Sequence, residues 1–325
     1  MKIIHRIEAV DPPLLHSVLT VGNFDGVHLA HKKLLEQASL LAAETSAPVV
    51  VLTFEPHPLT VVAPAKAPPR LSLIDDKLHR LDDAGADIAV VARSEPGLLT
   101  LSAEQFVKDV LVRRFHPLHL VEGPSFGFGR GRKGTPQLLS QLAPRFGYEM
   151  HLVEPVHTTL DDGQNAMISS SLIRSLLSQG RVREAARCLG YSYGLTGTVV
   201  RGLARGRTLS FPTANLDIRD QLIPGDGVYA GRAIVDHTAY AAATSIGFTP
   251  TFGGDGHRVE THILGLDADL YGRIIHLEFD RLLRPQRKFS SPEALVDQLR
   301  RDVHAVLTQA ERSEFTPADT KAPVA

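Results

Sequence analysis

Through the first half of the chain, short apolar runs alternate with stretches of helical spacing. Residues 18–21 end at Gly22, residues 47–54 form a β-branched run entered through Pro48, and residues 87–92 and 118–123 repeat the form. Runs this short and this uniformly apolar predict parallel strands buried on both faces. Between them the period changes to three and four, over 28–41, 73–84, 103–115 behind a Ser102 cap, and 137–146. Residues 149–153 add one more strand. Alternating strands and helices predict an α/β layer with a mostly parallel sheet, whose ligands bind beyond the carboxyl ends of the strands.

Two further helices, 171–179 and 181–189, close that region, and the pattern then changes. Residues 193–201, 228–235, 239–246, 259–264 and 274–279 read as strands with short connections. An all-β module of this size hides its edges most simply as a small closed barrel. Ser291-Pro292-Glu293 opens a last helix, with Leu295, Leu299, Val303 and Val306 on one face. The expected organisation is an α/β domain over 1–188, a β-barrel domain over 189–310 and a polar, disordered tail over 311–325.

Composition narrows the classes. The 325 residues carry a formal net charge of −1, so no overall field favours nucleic acid or an anionic membrane. No apolar run approaches the roughly 20 residues that span a bilayer. The first residues lack the apolar core of a signal peptide. The single cysteine, Cys188, excludes an internal disulfide and fits a reducing cytoplasm. The expected protein is cytoplasmic, without nucleic-acid or membrane partners, and at most weakly self-associating.

Four stretches carry chemistry. Gly22-Asn23-Phe24-Asp25-Gly26-Val27-His28 is a strand end, a polar turn and a helix start, with His31 one turn on. Unpaired backbone N–H groups and a positive dipole make such a start a place for phosphate, and two imidazoles there can steady charge growing on phosphorus. Two surface histidines or part of a metal pair are the plainer readings. The loop over 123–134 mixes glycines, Phe126, Phe128 and three cations, which suits a polyanion, RNA or simply a surface turn. Ser169-Ser170-Ser171 caps a helix and Arg174 follows one turn in, so hydroxyls and guanidinium can share one anion. In the barrel region, Gly202 to Thr208 supplies glycines and two arginines before a Pro212-Thr213-Ala214-Asn215 turn. Thr213 and Asn215 offer neutral oxygens of the kind Mg²⁺ accepts beside phosphates. Glu260 reads as an exposed strand carboxylate or as a base.

Residues 22–31 resemble the motif G-N-F-D-G-V-H-x-G-H that opens the adenylyltransferase module of bifunctional riboflavin kinase/FAD synthetases, with Ala30 in place of a glycine. Residues 168–174 resemble its I-S-S-T-x-I-R, with Ser171 for threonine. Residues 123–134 resemble its G-x-D/N-F-x-F-G-x-x-R-x-G, with Ser125 for the acid or amide. Residues 202–215 resemble the riboflavin kinase signature ending F-P-T-A-N, with Ser210 for a glycine. Residues 224–230 and 245–252 resemble two further kinase turns, and the resemblance spans roughly residues 15 to 308.

The resemblance implies a Rossmann-like nucleotidyltransferase domain and a riboflavin kinase barrel with a C-terminal helix. It implies phosphorylation of riboflavin to FMN and adenylylation of FMN to FAD, with ATP as co-substrate and Mg²⁺ as metal. Catalysis then falls to Glu260, His28 and His31. ATP contacts fall to Gly22, Asn23, Phe24, Ser169, Ser170, Ser171 and Arg174, and in the barrel to Gly202, Arg205, Gly206, Arg207 and Thr208. Flavin contacts fall to Ser125, Phe126, Phe128, Tyr229 and Phe252, and the metal to Thr213 and Asn215. Ala30 and Ser125 leave a kinase with a weakened or inactive FAD synthetase half as the alternative. A non-catalytic flavin- or nucleotide-binding protein is a second.

Overall fold

The computed structural model describes residues 1–11, 13, 14, 16–202, 211–248 and 257–312. Contacts divide the chain into two units, one of residues 1–159 with 165–170 and one of residues 160–164 with 171–325. Arg205, Gly206, Arg207, Thr208, Phe252 and the expected tail beyond 312 lie outside the described residues.

The first unit is built on six parallel strands: β1 (Lys2–Ile4), β2 (Ser17–Val21), β3 (Val49–Glu55), β4 (Ile88–Arg93), β5 (Pro117–Glu122) and β6 (Glu149–Leu152). They lie in the order β1-β4-β3-β2-β5-β6. The order reverses between β2 and β5, which makes the carboxyl end of β2 the switch point where ligands of such sheets bind. Strand side chains alternate between two cores. Val50 and Leu52 face a cluster with Phe106, Val107, Leu111 and Leu139. Val49 and Val51 face a second with Leu35, Ala38, Leu78 and Leu81. Burial on both faces is why the central strands β2, β3 and β4 are mostly apolar. A two-stranded hairpin, β7 (His157–Thr159) with β8 (Asn165–Met167), completes the unit.

The predicted helices are present, with one change of geometry. The stretch behind Ser102 starts with the expected cap, as a full capping box with Gln105. It then widens to π geometry over Phe106–Val112. The strand β1, which the sequence reading did not anticipate, pairs with β4 at the sheet edge.

The second unit holds the remaining strands: β9 (Gly194–Val200), β10 (Ala214–Ile218), β11 (Gly227–Val235), β12 (Thr238–Phe248), β13 (His257–Ile263) and β14 (Ile274–Arg284). They close into an antiparallel barrel in the order β10-β13-β12-β11-β14-β9. Residues of β9 alternate between buried and half-buried, as one face in and one face out requires. The expected turn at Pro212 to Asn215 is corrected: Ala214–Ile218 is the strand β10, which pairs with both β9 and β13 and closes the barrel. The C-terminal helix, Pro292–Arg312, packs on β11 and β12. Its Asp302 meets Arg284 of β14 at 2.9 Å, with both side chains largely buried.

Candidate active sites

In the first unit the stretch after β2 is a strained loop. Phe24 (φ 47°) and Val27 (φ 33°) both sit in the left-handed region that side chains avoid, and both are buried. Gly26, at φ 79°, is the residue there that adopts it without cost. Asp25 secures the loop. Its carboxylate accepts hydrogen bonds from the Leu71 N–H at 3.0 Å and the Ser72 N–H at 3.2 Å, while the Gly26 N–H donates to Ser72 Oγ at 3.2 Å. Such over-determined strain is common where a backbone is shaped for a ligand.

The Leu29–Thr45 helix begins at this loop, with His28 as its N-cap and no side-chain cap bond. The first backbone N–H groups of the helix have no partner within it, so the positive end of a 17-residue helix opens here. The His28 and His31 rings stack with centroids 3.6 Å apart and planes 16° apart, and Phe24 lies 5.0 Å from His31. Burial, then the neighbouring charges of His28 and Lys77, holds the His31 imidazole well below its ordinary range. At neutral pH it is therefore an uncharged ring with one N–H to donate, and its buried Nδ1 has no hydrogen-bond partner.

The second motif meets the first within this unit. Ser170 Oγ donates to the carbonyl of Asp25 at 3.1 Å, across 145 residues of sequence. Ser169 is half-buried beside it in the chain. Ser171 and Arg174 belong to the helix Ser170–Ser178 and are counted with the second unit.

The turn after β3, Glu55 to Pro58, comes to this sheet end as its place after a strand leads one to expect, and Arg70 and Lys77, which were not singled out by the sequence, join it. Asn23 contacts His57 Nε2 at 3.1 Å, and His57 Nδ1 accepts from the Leu59 N–H at 3.1 Å. Arg70 meets Glu55 at 2.7 Å, and the buried Lys77 lies 3.8 Å from the same carboxylate. Burial lowers the Lys77 ammonium from its usual range, and Glu55 works against that shift. Together with Asn23, Asp25 and Ser72 these groups line a small cleft that is open to solvent.

Glu122, the last residue of β5, stands at the switch point. It is buried, and its carboxylate accepts from the Val21 N–H at 2.7 Å, just before Gly22. Burial pushes this carboxyl well above the usual value of 4.5, against the opposing effect of the Val21 bond. The folded protein therefore keeps this proton to higher pH than the unfolded chain does. The stability it contributes is complete below the unfolded value and is lost as pH rises through the raised one. Glu122→Gln removes the titration and retains an acceptor for Val21. Urea unfolding at several values between about pH 5 and 8 should show stability moving in favour of the variant, relative to wild type, as pH rises. A constant difference would mean that Glu122 is ionised in the folded protein across this range, as it is in the unfolded chain.

The glycine-rich loop after β5 folds on itself. Phe128 and Gly134 exchange backbone hydrogen bonds at 3.2 and 2.9 Å, and a Cβ on Gly134 would lie 2.6 Å from the Phe128 ring. Phe128 is buried against Phe106 and stacks on the half-buried Phe126 at 5.4 Å. Ser125 is exposed, and its carbonyl accepts from Arg132 at 3.3 Å. Phe126 thus has a partly open face, whereas Phe128 is core.

In the second unit the barrel carries its polar set on the outer face. Asn215 on β10 stands opposite Glu260 on β13, and Glu260 stands opposite Ser245 on β12. Directly opposed residues on neighbouring strands bring their side chains together. Thr213 is exposed two residues ahead of Asn215. His262 Nδ1 donates to the Pro212 carbonyl at 2.7 Å, and Phe211 packs edge-on to His262 at 5.5 Å, so the approach to β10 is clamped onto β13. A Cβ on Gly202 would collide with the Asn215 side chain, so only glycine leaves that amide its place. Arg258 bonds Glu260 at 3.2 Å on a half-exposed surface.

Tyr229 departs from its expected role as a flavin platform. It is fully buried against Phe279, its hydroxyl donates to the Gly225 carbonyl, and burial pushes its pKa up to about 12. Its ring fills the barrel core and offers no face to a ligand.

A switch-point loop at a helix N-terminus in one unit, and a closed barrel with an outward carboxylate beside two neutral oxygens in the other, define a two-site nucleotide-handling protein. The FAD synthetase family matches residues 12–172 and the riboflavin kinase family matches residues 189–309. A bifunctional riboflavin kinase/FMN adenylyltransferase of Escherichia coli K12 is 34% identical over 304 residues, covering 93% of this chain and 96% of that one. One from Listeria monocytogenes is 34% identical, covering 89% and 90%. A crystal structure of a macrolide-efflux protein from Streptococcus pneumoniae aligns with a TM-score of 0.83 at 29% identity, over 94% of this chain and 99% of that one. The chain belongs to the bifunctional riboflavin kinase/FMN adenylyltransferase family, and it is a transferase of flavin cofactor biosynthesis. Among the described residues, no helix is long and apolar enough to cross a membrane.

Proposed function

We propose that both reactions run on this chain, at the two sets of residues described above, with adenylyl transfer assigned to 1–188 and riboflavin phosphorylation to 189–310. The observation that carries the adenylyl-transfer half is the Ser170–Asp25 bond, which joins the histidine loop to the serine motif. ATP lies with its α-phosphate at His28, His31 and the free N–H groups of the helix start, with Gly22, Asn23 and Phe24 forming the loop beneath it. Ser169 and Ser170 take the β- and γ-phosphates, the role that the resemblance gives to Ser171 and Arg174 as well. The FMN phosphate oxygen attacks the α-phosphorus and pyrophosphate leaves. The imidazole N–H groups hold the negative charge that grows on the phosphoryl oxygens. Phe126 and Ser125 lie on the flavin side.

On the barrel, Glu260 accepts the proton of the riboflavin 5′-hydroxyl as its oxygen attacks the γ-phosphorus of a second ATP, and ADP leaves with the bridging oxygen. Such a transfer needs alignment, a proton acceptor and charge neutralisation more than covalent help. The donor set suits Mg²⁺, since Thr213 and Asn215 offer neutral oxygens and the glycine at 202 leaves the amide room. Bound there, the ion neutralises phosphate charge. By the resemblance, Gly202, Arg205, Gly206, Arg207 and Thr208 are assigned to the triphosphate and Phe252 to the flavin. The net charge of −1 supports small-molecule partners over nucleic acid, and the single cysteine supports a reducing cytoplasm.

A chromatographic time course tests the reading. Purified protein receives ATP and Mg²⁺ with riboflavin in one tube and FMN in another. FAD is expected in both. FMN from riboflavin with no FAD in either tube would overturn the adenylyl-transfer half, and no product at all would overturn both.

A further inference from the structure

Away from the proposed active sites, three metal-type donors meet on the first unit. His119 Nδ1 on β5 lies 3.0 Å from His151 Nε2 on β6. The Glu149 carboxylate lies 3.7 Å from the first and 3.8 Å from the second. We infer that His119, Glu149 and His151 form a binding site for a divalent transition-metal ion of the Zn²⁺ class.

The strand register builds the site. His119 is paired with Glu149, and Val121 with His151, on parallel neighbours. Alternation puts His119 and Val121 on one face of β5 and Glu149 and His151 on the same face of β6. Val121 belongs to the core under the Leu29–Thr45 helix, which identifies the face. The three donors therefore converge from rigid backbone, the arrangement that gives a metal site its precision.

The separations fit an ion. Zn–N and Zn–O bonds of about 2.1 Å at tetrahedral angles give donor–donor edges of about 3.4 Å. The ring–ring separation of 3.0 Å lies just below that length, and the carboxylate contacts of 3.7 and 3.8 Å (one through each oxygen) lie just above it. One donor atom from each residue falls within 4.8 Å of the other two, so a turn of the exposed Glu149 side chain brings a single oxygen into place for an ion. Two imidazoles and a carboxylate match a borderline ion, whereas Mg²⁺ and Ca²⁺ prefer all-oxygen shells. No other group of three histidine, cysteine, aspartate or glutamate side chains converges this closely among the described residues.

Without metal, the two ring nitrogens at 3.0 Å share one proton as an N–H···N hydrogen bond. A metal ion replaces that proton and adds the carboxylate. Glu149 is 68% exposed while the histidine side chains are 14% and 21% exposed, so the pocket opens to solvent on the carboxylate side. That side admits the ion and leaves a fourth position for water. β6 is the last strand of the sheet, held by β5 alone. The ion would clasp this edge strand to its neighbour, and ligation by the native state alone raises stability by mass action.

Co²⁺ is the direct probe, because tetrahedral nitrogen and oxygen ligation gives intense visible d–d bands. Titration of the full chain should give those bands at one equivalent, bleached by added Zn²⁺, with a rise in melting temperature. His119→Gln and His151→Gln should each abolish the bands, and Glu149→Gln should weaken Co²⁺ binding at least tenfold, all with unchanged far-ultraviolet circular dichroism. His28→Asn, which breaks the other close histidine pair, should keep the bands. A wild-type protein without tetrahedral bands, or bands that survive in the His119 and His151 variants, would overturn the assignment.

Discussion

Glu260→Gln should lower the conversion of riboflavin to FMN by about 10² to 10⁴-fold, the range that a positioned general base supplies. Glutamine keeps the size of the side chain and its outward place on β13, opposite Asn215 and Ser245. It also keeps an oxygen for Arg258, which bonds the native carboxylate at 3.2 Å. What it loses is the capacity to take a proton. Riboflavin binding, measured by quenching of flavin fluorescence, should therefore stay within a few-fold of wild type. FAD formation from supplied FMN should be unchanged, because Glu260 is not among the residues assigned to that reaction. That split separates a lost base from a lost fold. Phosphorylation at the wild-type rate would show that the carboxylate is not the proton acceptor.

The fold class was legible because both patterns obey simple rules. The mostly apolar runs of the first unit are what a sheet covered on both faces requires, and Val49 to Leu52 send alternate side chains into two separate cores. The barrel strands alternate because one face is wet. Where the reading failed, a local signal hid a long-range one. Ala214, Leu216 and Ile218 carry a strand period, but Pro212, Thr213 and Asn215 carry turn chemistry, and closure of the barrel decides in favour of strand. β1 is three residues long and is specified only by its pairing with β4. The site shows the same division. Gly22 to His31 is a contiguous motif and could be read directly. Asp25 fixes the loop through Leu71 and Ser72, and Glu122 fixes Val21 from 101 residues away, and neither partnership has a signature in one sequence. Tyr229 misled in the opposite sense, since an aromatic residue in a family turn reads the same whether it faces ligand or core.

His28→Asn should lower FAD synthesis from FMN by about 10² to 10³-fold while riboflavin phosphorylation continues, so that FMN accumulates. The variant is chosen for the helix start. His28 is an N-cap without a side-chain cap bond, and asparagine is among the residues preferred at that position. Asparagine therefore keeps a favoured cap for the Leu29–Thr45 helix, and far-ultraviolet circular dichroism with the melting temperature separates a fall in rate from unfolding. Removing the ring also removes the 3.6 Å stack on His31. His31 then loses the surface that orients it, and the loss in the variant includes both imidazoles acting as a unit. If they contact the α-phosphate mainly as charge develops on it, kcat and kcat/KM should fall together with little change in the KM for ATP. A rise in KM at constant kcat would instead mark His28 as a ground-state contact. An unchanged rate would move the adenylyl-transfer chemistry away from this helix, toward the Arg70 and Lys77 side of the cleft.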